Sequence, residues 1–251
     1  MKPRAQVRRL DVELVERSLA ESREQAQRLI LAGEVWVEGQ RWDKASKLCA
    51  ASAAIEVRGG DRYVSRGGHK LEGALTGFHL DVTGWYCLDL GASTGGFTDC
   101  LLQHGAREVV ALDVGHGQLH WRLRQDKRVV VHEGVNARDL AAFVKSGHLS
   151  GTFDLVVADV SFISLRKVLP PAFDLLSSGG QVCALIKPQF EAGRAEVGKG
   201  GIVRDALVRA RVVRELHEWA ADFPVTTMGT IPSPLPGRDG NEEFLWLLQK
   251  K

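Results

Sequence analysis

Residues 88–99 of this 251-residue chain read Leu88-Asp89-Leu90-Gly91-Ala92-Ser93-Thr94-Gly95-Gly96-Phe97-Thr98-Asp99. The run begins as an apolar strand, and the segment after Gly96 has a helical pattern. Between the two, Gly91 and Gly95 let the backbone pass close to a ligand, because neither residue carries a Cβ atom. This order of strand, glycine-rich turn and helix is typical of α/β proteins that bind nucleosides. A turn with a purely structural role is the alternative.

Strands and helices alternate on both sides of this loop. Strand-like runs cover residues 85–90, 109–114, 129–132, 153–158, 181–186, 225–228 and 244–248. Helical patterns begin at Lys70 and after Gly96, and cover residues 137–145, 164–176 and 205–221. Such alternation predicts a mostly parallel sheet covered by helices on both faces. We therefore expect an α/β, Rossmann-like fold for most of the chain.

The loop also indicates the kind of cofactor. The dinucleotide fingerprint G-x-G-x-x-G requires a glycine where this chain has Ser93, which argues against an NAD-dependent reductase. Asp89 places a carboxylate just before the turn, where a cationic ligand is favoured over a pyrophosphate. S-adenosylmethionine carries a sulfonium and an ammonium group, so it suits this loop better than NAD. Asp113, 22 positions after Gly91, is expected to bind the ribose hydroxyls.

Composition excludes several classes of protein. The chain is 44% hydrophobic with a formal net charge of +2, so dominant disorder is excluded. Its apolar runs are far shorter than the roughly 20 residues that a membrane span needs. The basic N-terminus leads into no apolar segment, so we expect no signal peptide. The four cysteines form no C-x-x-C pair, which indicates reduced thiols and a cytoplasmic location, and no metal-binding spacing occurs.

The first 60 residues have a pattern of their own. Apolar residues at 10, 14, 15 and 19 have helical spacing, Ser22 can cap a second helix, and Gly33 can end it. Residues 1–64 hold 12 Lys and Arg against 10 Asp and Glu, whereas the remaining residues hold 21 of each, so the net charge lies in the first quarter. We expect a small domain over residues 1–60, a linker over 61–68 and a larger domain over 69–251.

This small domain resembles a known RNA-binding module. The pattern is Arg9-Leu10-Asp11 followed by Ser22-Arg23-x-x-Ala26-x-x-Leu29-Ile30-x-x-Gly33-x-Val35-x-Val37-x-Gly39. It is similar to the α+β αL domain shared by a small-subunit ribosomal protein, pseudouridine synthases and a bacterial tyrosyl-tRNA synthetase. The resemblance implies contacts between basic side chains and RNA phosphates. The candidates are Arg4, Arg8, Arg9, Arg23, Arg28 and Arg66. A solvated basic surface is the alternative for any one of them.

Three further motifs lie at the carboxyl ends of strands, where open α/β sheets bind ligands. They are Ala158-Asp159-Val160-Ser161-Phe162, Leu185-Ile186-Lys187-Pro188-Gln189-Phe190-Glu191, and the segment 234–244. A charge at the end of a buried strand is costly unless it is paired, so Lys187 needs Asp159 or a C-terminal glutamate nearby. A structural ion pair is the alternative for each residue, but several charges at strand ends favour chemistry.

With these motifs the chain resembles the TlyA, or hemolysin A, family across essentially its whole length. The segments that carry the resemblance are 64–71, 89–98, 158–163, 187–191 and 233–244. The family joins an αL domain to an FtsJ-like, class I methyltransferase domain. The resemblance implies S-adenosylmethionine as cofactor and 2′-O-methylation of a cytidine in ribosomal RNA. It favours the large ribosomal subunit as substrate and leaves the small subunit open.

The resemblance also implies a catalytic tetrad of Lys70, Asp159, Lys187 and Glu243, with Glu242 as a rival for the last place. Lys187 would take the proton of the ribose hydroxyl or stabilise the developing alkoxide. The residues expected to bind the cofactor are Asp89, Gly91, Ala92, Ser93, Gly95, Gly96, Phe97, Asp113, Asn136 and Asp159. We expect a monomer that binds ribosomal RNA or a ribosomal subunit, with no membrane contact and no metal. The alternatives are a non-catalytic RNA-binding assembly factor and, more remotely, a membrane-active hemolysin.

Overall fold

The computed structural model of the protein describes residues 7–57, 62–149, 151–237 and 240–251. The chain divides into two compact units, Met1–Val64 and Ser65–Lys251. Each unit has a hydrophobic core of its own.

The smaller unit packs two short helices against short strands. Its elements are β1 (Val7–Arg9), α1 (Leu10–Glu16), α2 (Arg23–Leu31), β2 (Val35–Val37), β3 (Gln40–Arg41), β4 (Leu48–Ala50) and β5 (Ile55–Val57). β1 pairs with β4, and β2 pairs with both β3 and β5, all antiparallel. The predicted cap of α2 is confirmed, because the Ser22 hydroxyl accepts the Gln25 N–H at 3.2 Å. Leu10, Leu14 and Ile30 are fully buried in the core.

The larger unit alternates strands and helices, as predicted. Its strands are β6 (Tyr86–Leu90), β7 (Glu108–Asp113), β8 (Val129–Glu133), β9 (Phe153–Ala158), β10 (Leu176–Ile186), β11 (Val225–Pro232) and β12 (Phe244–Lys250). Its helices are α3 (Arg66–Gly77), α4 (Gly96–Gln103), α5 (Trp121–Gln125), α6 (Leu140–Lys145), α7 (Leu169–Asp174), α8 (Pro188–Glu191) and α9 (Ala206–Ala220). Short 3₁₀ turns cover Ala137–Asp139, Leu165–Lys167 and Arg194–Glu196.

The strands of the larger unit form one seven-stranded sheet in the order β11-β12-β10-β9-β6-β7-β8. β6 is parallel to β7 and β9, and β9 is parallel to β10. β12 is antiparallel to both of its neighbours, so one reversed strand interrupts an otherwise parallel sheet. The predicted α/β fold with a mostly parallel sheet is confirmed.

Two predicted helix boundaries are wrong. α3 begins at Arg66, one turn before the predicted start at Lys70, and its first-turn glycines lie against Gly96 at the start of α4. The helix predicted over 164–176 is instead a 3₁₀ turn followed by α7, with Pro170 and Pro171 at the start of α7. Proline lacks an N–H and cannot continue the preceding turn, so the chain restarts its helix there.

No helix in the described ranges has both the length and the apolar composition needed to cross a membrane.

Candidate active site

The carboxyl ends of β6 and β9 meet where the strand order reverses. From β6 the chain continues outward to β7 and β8, and it then crosses back to β9. Leu90 pairs with Ala158 at the last register position, and the Asp159 N–H donates to the Leu90 carbonyl at 3.1 Å. Ligands of open α/β sheets bind in the crevice at such a reversal. Gly91 and Asp159, which directly follow the two strands, border this crevice.

The glycine loop follows a path that excludes side chains at two positions. Gly91 has a φ of +84°, and a Cβ atom there would lie 2.9 Å from the Asp159 carbonyl oxygen. Gly95 has a φ of +95°, and a Cβ atom there would collide with the side chains of Leu119 and Leu123. L-residues rarely adopt such φ values, and these contacts are too short for ordinary packing. The packing of the protein around the loop therefore requires glycine at both positions.

Asp113 braces this loop from the end of β7. Its Oδ2 accepts the Ser93 N–H at 2.7 Å, and its Oδ1 accepts the Gly115 N–H at 2.7 Å. Ser93 itself has a φ of +49°, an uncommon conformation for a residue with a side chain. Each carboxylate oxygen has a second lone pair, so Asp113 can hold the loop and still accept a ligand hydroxyl.

Two adjoining cavities lie along the loop. The larger has a volume of about 510 Å³, and the residues predicted for the cofactor that line it are Gly91, Ser93, Asp113, Asn136 and Asp159. The smaller, of about 170 Å³, is lined by Ala92, Gly96 and Phe97 from the same predicted set, together with Lys187 and Ser161. The Asn136 side-chain oxygen accepts the Arg138 N–H at 3.0 Å, which leaves its amide N–H groups for a ligand. The described residues that line the two cavities do not include Asp89 or Gly95.

Asp89 is enclosed in the protein interior. It is fully buried in β6, and its Oδ2 accepts the Thr98 hydroxyl at 2.7 Å. Its Oδ1 has no hydrogen-bond partner in the described part of the chain. Burial raises the pKa of Asp89 to about 7, the Thr98 hydrogen bond opposes this shift, and the charges of Asp159 and Asp113 add to it. Asp89 therefore acts on the loop from the interior, through α4.

The cofactor-free protein should lose stability as the pH rises from about 4 to about 7. In that range the folded state retains the Asp89 proton while the unfolded state has lost it, so raising the pH favours unfolding. Asp89→Asn removes this contribution. We expect the free energy of unfolding of the variant, relative to wild type, to rise by a few kcal/mol (about 1.4 per pKa unit) across that range. Thermal melts in a pH series measure the difference, and parallel curves for the two proteins would contradict the expectation.

The four residues of the predicted tetrad form two lysine–carboxylate pairs. Lys187 Nζ lies 2.6 Å from Asp159 Oδ1 and donates to the Ser161 hydroxyl at 2.9 Å. Lys70 Nζ donates to Glu243 Oε2 at 2.5 Å, and these two side chains are only 10% and 3% exposed. Buried charges persist in proteins when they are paired in this way. The predicted need of Lys187 for a nearby carboxylate is met by Asp159.

The Lys187–Asp159 pair lines the smaller cavity, and the Lys70–Glu243 pair lies at the same end of the sheet, because Phe244, directly after Glu243, pairs with Ile186, directly before Lys187. Ser65 and Gly67 at the start of α3 line that cavity together with Asp159 and Lys187. Lys70 is three residues after Gly67, so it lies on the same face of the helix one turn further on. The topology thus brings residues from four separate segments to one end of the sheet.

The structure distinguishes the two adjacent glutamates. Glu243 is buried against Lys70, whereas Glu242 is exposed and pairs with Arg209 at 3.0 Å. Asn241, which is buried, accepts the Val203 N–H at 3.0 Å and donates to the Gly201 carbonyl at 2.9 Å. Asn241 therefore anchors the segment that places Glu243.

Most of the arginines predicted to bind RNA are held by protein groups. Arg9 and Arg23 donate to the fully buried carboxylate of Asp11 at 3.0 and 3.1 Å. Arg8 pairs with Glu16 at 3.1 Å, and Arg28 pairs with Glu24 at 3.4 Å. The remaining two are Arg66, which donates to the Pro236 carbonyl at 2.9 Å, and Arg4, which lies outside the described residues. The guanidinium groups of Arg9 and Arg23 stay partly exposed while Asp11 sets their direction.

Three residues of the site were missed by the sequence predictions. Ser161 binds Lys187, and Phe162 is 91% exposed beside the larger cavity with a φ of +63°. Glu191 accepts hydrogen bonds from the segment that follows β9. All three lie inside motifs at strand ends, so the motifs mark the correct segments, but their pattern does not show which side chains meet.

The fold and the site define a class of protein, the FtsJ-like methyltransferases. Residues 63–250 match the FtsJ-like methyltransferase family, and residues 8–55 match the S4 domain. Two relatives identify the family more closely. A 16S/23S rRNA (cytidine-2′-O)-methyltransferase TlyA of Mycobacterium tuberculosis is 50% identical over 95% of this chain and 89% of its own length. Hemolysin A of Brachyspira hyodysenteriae is 43% identical over 94% of this chain and 98% of its own length. The chain belongs to the TlyA family, which confirms the family predicted from the motifs.

Solved structures agree with this assignment. A Streptococcus thermophilus protein provisionally named a hemolysin superposes with a TM-score of 0.72 at 43% identity, covering 99% of this chain and 90% of that one. An O-methyltransferase of Bacillus cereus, solved in complex with SAH, has a TM-score of 0.51 at 19% identity, covering 74% of this chain and 82% of that one. The second likeness is one of fold alone.

Proposed function

We propose that this protein transfers the methyl group of S-adenosylmethionine to the ribose 2′-hydroxyl of a cytidine in ribosomal RNA. The large ribosomal subunit is the favoured substrate and the small subunit the second. The observation that carries the proposal is the Lys187–Asp159 contact in the lining of the smaller cavity, with the Lys70–Glu243 contact at the same end of the sheet. The M. tuberculosis relative, which bears the name of this reaction, supports the choice of substrate.

The residues around the cavities suit the groups of this cofactor. The backbone at Gly91 lines both cavities and carries no side chain that could extend toward a ligand. Asp113 has lone pairs for ribose hydroxyls, and Asn136 has amide N–H groups for the adenine edge. Asp159 has a buried carboxylate oxygen, Oδ1, without an aligned hydrogen bond from any described residue, although Lys187 lies within ion-pair distance of it. A carboxylate at this position favours a ligand that carries positive charge.

Lys187 is the residue we assign to the reacting hydroxyl. When bound, S-adenosylmethionine supplies a methyl group on a positively charged sulfur. The ribose hydroxyl is a poor nucleophile, so it needs a group that accepts its proton or stabilises the alkoxide as it forms. The ammonium group of Lys187 lines the smaller cavity, and Asp159 and Ser161 fix its position. We assign the larger share of catalysis to orientation and electrostatic stabilisation by this ammonium group.

Lys70, on α3, and Glu243, directly before β12, complete the arrangement. Their charges are buried together, so their mutual position is fixed by a short contact. We further propose that the catalytic unit is a monomer. A ribosomal substrate also places the protein in the cytoplasm.

The smaller unit is the part that we expect to hold the RNA. Arg9 and Arg23 are pointed outward by a shared buried carboxylate, Asp11, and both remain partly exposed. Guanidinium groups bind phosphate oxygens at two points, and such contacts position a protein on RNA without reading its sequence.

Phe162 should stack on an RNA base near the reacting ribose. It is an almost fully exposed aromatic residue with a positive φ, and it stands beside the cofactor cavity. Strained, exposed side chains of this kind cluster at functional sites. Stacking on an aromatic side chain contributes about 1 to 3 kcal/mol per base, so Phe162→Ala should weaken RNA binding by about tenfold. Leu207→Ala, at an exposed apolar residue in the first turn of α9, is the control and should bind RNA like wild type. Equal affinity of the Phe162 variant and wild type would contradict the prediction.

The decisive experiment is transfer of a labelled methyl group from S-adenosylmethionine to separated ribosomal subunits taken from a strain that lacks this gene. The labelled RNA is digested and the modified nucleoside is identified by mass. A 2′-O-methylated cytidine would support the cofactor, the reaction and the substrate class together. Binding of S-adenosylmethionine without label on either subunit would contradict the proposed substrate. Binding of RNA without cofactor binding would instead favour a non-catalytic assembly factor.

A further inference from the structure

Asp159 and Lys187 stand on two segments that leave the sheet. The last register pair between β9 and β10 is Ala158 with Ala184, and the last between β9 and β6 is Ala158 with Leu90. Beyond these pairs, residues 160–163 lie outside the described strands. The Asp159 N–H still donates to the Leu90 carbonyl, so beyond Asp159 the position of this segment relative to Lys187 depends on the contacts that the segment makes outside the sheet.

Glu191 makes such a contact. It is the last residue of α8, the four-residue helix that begins directly after Lys187. Its Oε2 accepts the Ser164 hydroxyl at 2.7 Å, and its Oε1 accepts the Leu165 N–H at 2.7 Å. Both carboxylate oxygens thus hold the end of the segment that starts at Asp159. Burial raises the pKa of Glu191, which agrees with a carboxylate used inside the protein.

The hydrogen bonds of Glu191 link two segments of the chain, and each segment leads back to Lys187. On one side, Glu191 is four residues from Lys187 through a single helical turn. On the other side, Ser164 is three residues from Ser161, whose hydroxyl accepts the Lys187 Nζ hydrogen bond at 2.9 Å. The segment, the helix and the Lys187–Ser161 hydrogen bond form a closed ring of contacts. Opening the ring at Glu191 would let Ser161 and Asp159 move away from Lys187.

We propose that Glu191 is a positioning residue for methyl transfer, which holds the 159–164 segment so that Asp159 and Ser161 meet Lys187. The inference rests on the proposed function, because it needs Lys187 to act in methyl transfer. The role requires groups that hydrogen-bond to Ser164 and Leu165 at the correct distance, and it does not require the negative charge.

Three substitutions separate these requirements. Glu191→Gln removes the charge but keeps an oxygen for the Leu165 N–H and an amide group that can donate to the Ser164 hydroxyl. Glu191→Asp keeps the charge but shortens the side chain by one methylene. Glu191→Ala removes both contacts. We expect kcat at saturating cofactor to stay within threefold of wild type for the Gln variant, and to fall at least about tenfold for the Asp and Ala variants.

Ser161→Ala tests whether Glu191 acts through the Lys187 contact. If Glu191 acts by placing Ser161, the double variant Glu191→Ala/Ser161→Ala should be no slower than the slower of the two single variants. Independent roles would instead give multiplied losses. Glu196→Ala is the matched control, because Glu196 also accepts a backbone N–H, from Gly193 at 3.1 Å, and pairs with Arg211. We expect the control to retain kcat within twofold of wild type.

The measurements are kcat and KM on the ribosomal subunit that the wild-type protein methylates. The melting temperature of each variant is also measured, and all assays are run below the lowest of them. The proposal is overturned if Glu191→Ala has wild-type kcat, if Glu191→Asp is active while Glu191→Gln is not, or if the losses of the double variant multiply. Failure of the wild-type protein to methylate any subunit would be a failure of the proposed function, and is seen before any variant is assayed. If Glu191→Ala does not fold, the Gln and Asp variants still test the proposal, because kcat is expected to be retained in the first and to fall in the second.

Discussion

Replacing Lys187 by alanine should reduce methyl transfer to below about 1% of the wild-type rate while cofactor binding stays largely intact. Lys187 lines the smaller cavity, and Asp159 and Ser161 hold its ammonium group in place. Asp113 and Asn136, which line the larger cavity, make their hydrogen bonds without this side chain. The loss should therefore appear in kcat, with a small change in the dissociation constant for S-adenosylmethionine.

Calorimetry with the cofactor and single-turnover methylation of ribosomal subunits measure the two quantities. Lys199→Ala is the matched control, since Lys199 is an exposed lysine in the loop that follows α8. It should turn over at the wild-type rate. Retained turnover by the Lys187 variant would remove this residue from the reaction.

Replacing Lys70 by methionine should lower the free energy of unfolding of the larger unit by about 3 kcal/mol. The substitution leaves the carboxylate of Glu243 buried without its partner at 2.5 Å. An uncompensated buried charge is more costly than the loss of the attraction itself. The double variant Lys70→Met/Glu243→Gln removes that charge, so it should recover a large part of the loss while remaining inactive.

Urea unfolding followed by tryptophan fluorescence reports mainly on the larger unit, which holds four of the six tryptophans. Arg214→Ala provides the comparison, because its pair with Glu218 on α9 lies at the protein surface. Exposed pairs of this kind contribute about 0 to 1 kcal/mol. If Lys70→Met and Arg214→Ala lowered the free energy of unfolding equally, burial would not determine how much the Lys70–Glu243 pair contributes to stability.

Much of the glycine loop could be predicted from the sequence, since its conformation depends on neighbouring residues. The alternation of strands with helices predicted the parallel sheet, and the glycine-rich run predicted the turn between β6 and α4. Asp113 was identified by its spacing from Gly91, and in the structure it accepts the N–H of Ser93 in the loop and that of Gly115 after β7. Asp89 was identified as part of the same motif, but its enclosure and its bond to Thr98 depend on how α4 packs.

Most contacts of the charged residues could not be predicted from the sequence. Lys70 and Glu243 were identified by resemblance to a family pattern, and the sequence left Glu242 as a rival until the structure showed it paired with Arg209. Arg66 was predicted to bind RNA, yet it donates to the carbonyl of Pro236, which is 170 residues away. The ring closed by Glu191 was not predicted at all.

The amino-acid order of this protein thus specified the fold class, the glycine loop and the segments that carry charge, because backbone preference and hydrophobic period act over a few residues. The partners of those charges follow from the strand order β10-β9-β6 and from the reversed strand β12. That order brings α3 to the segment before β12, and α8 to the segment after β9. A pair such as Lys70 and Glu243, 173 residues apart, forms only because burying the core of the larger unit sets these elements side by side.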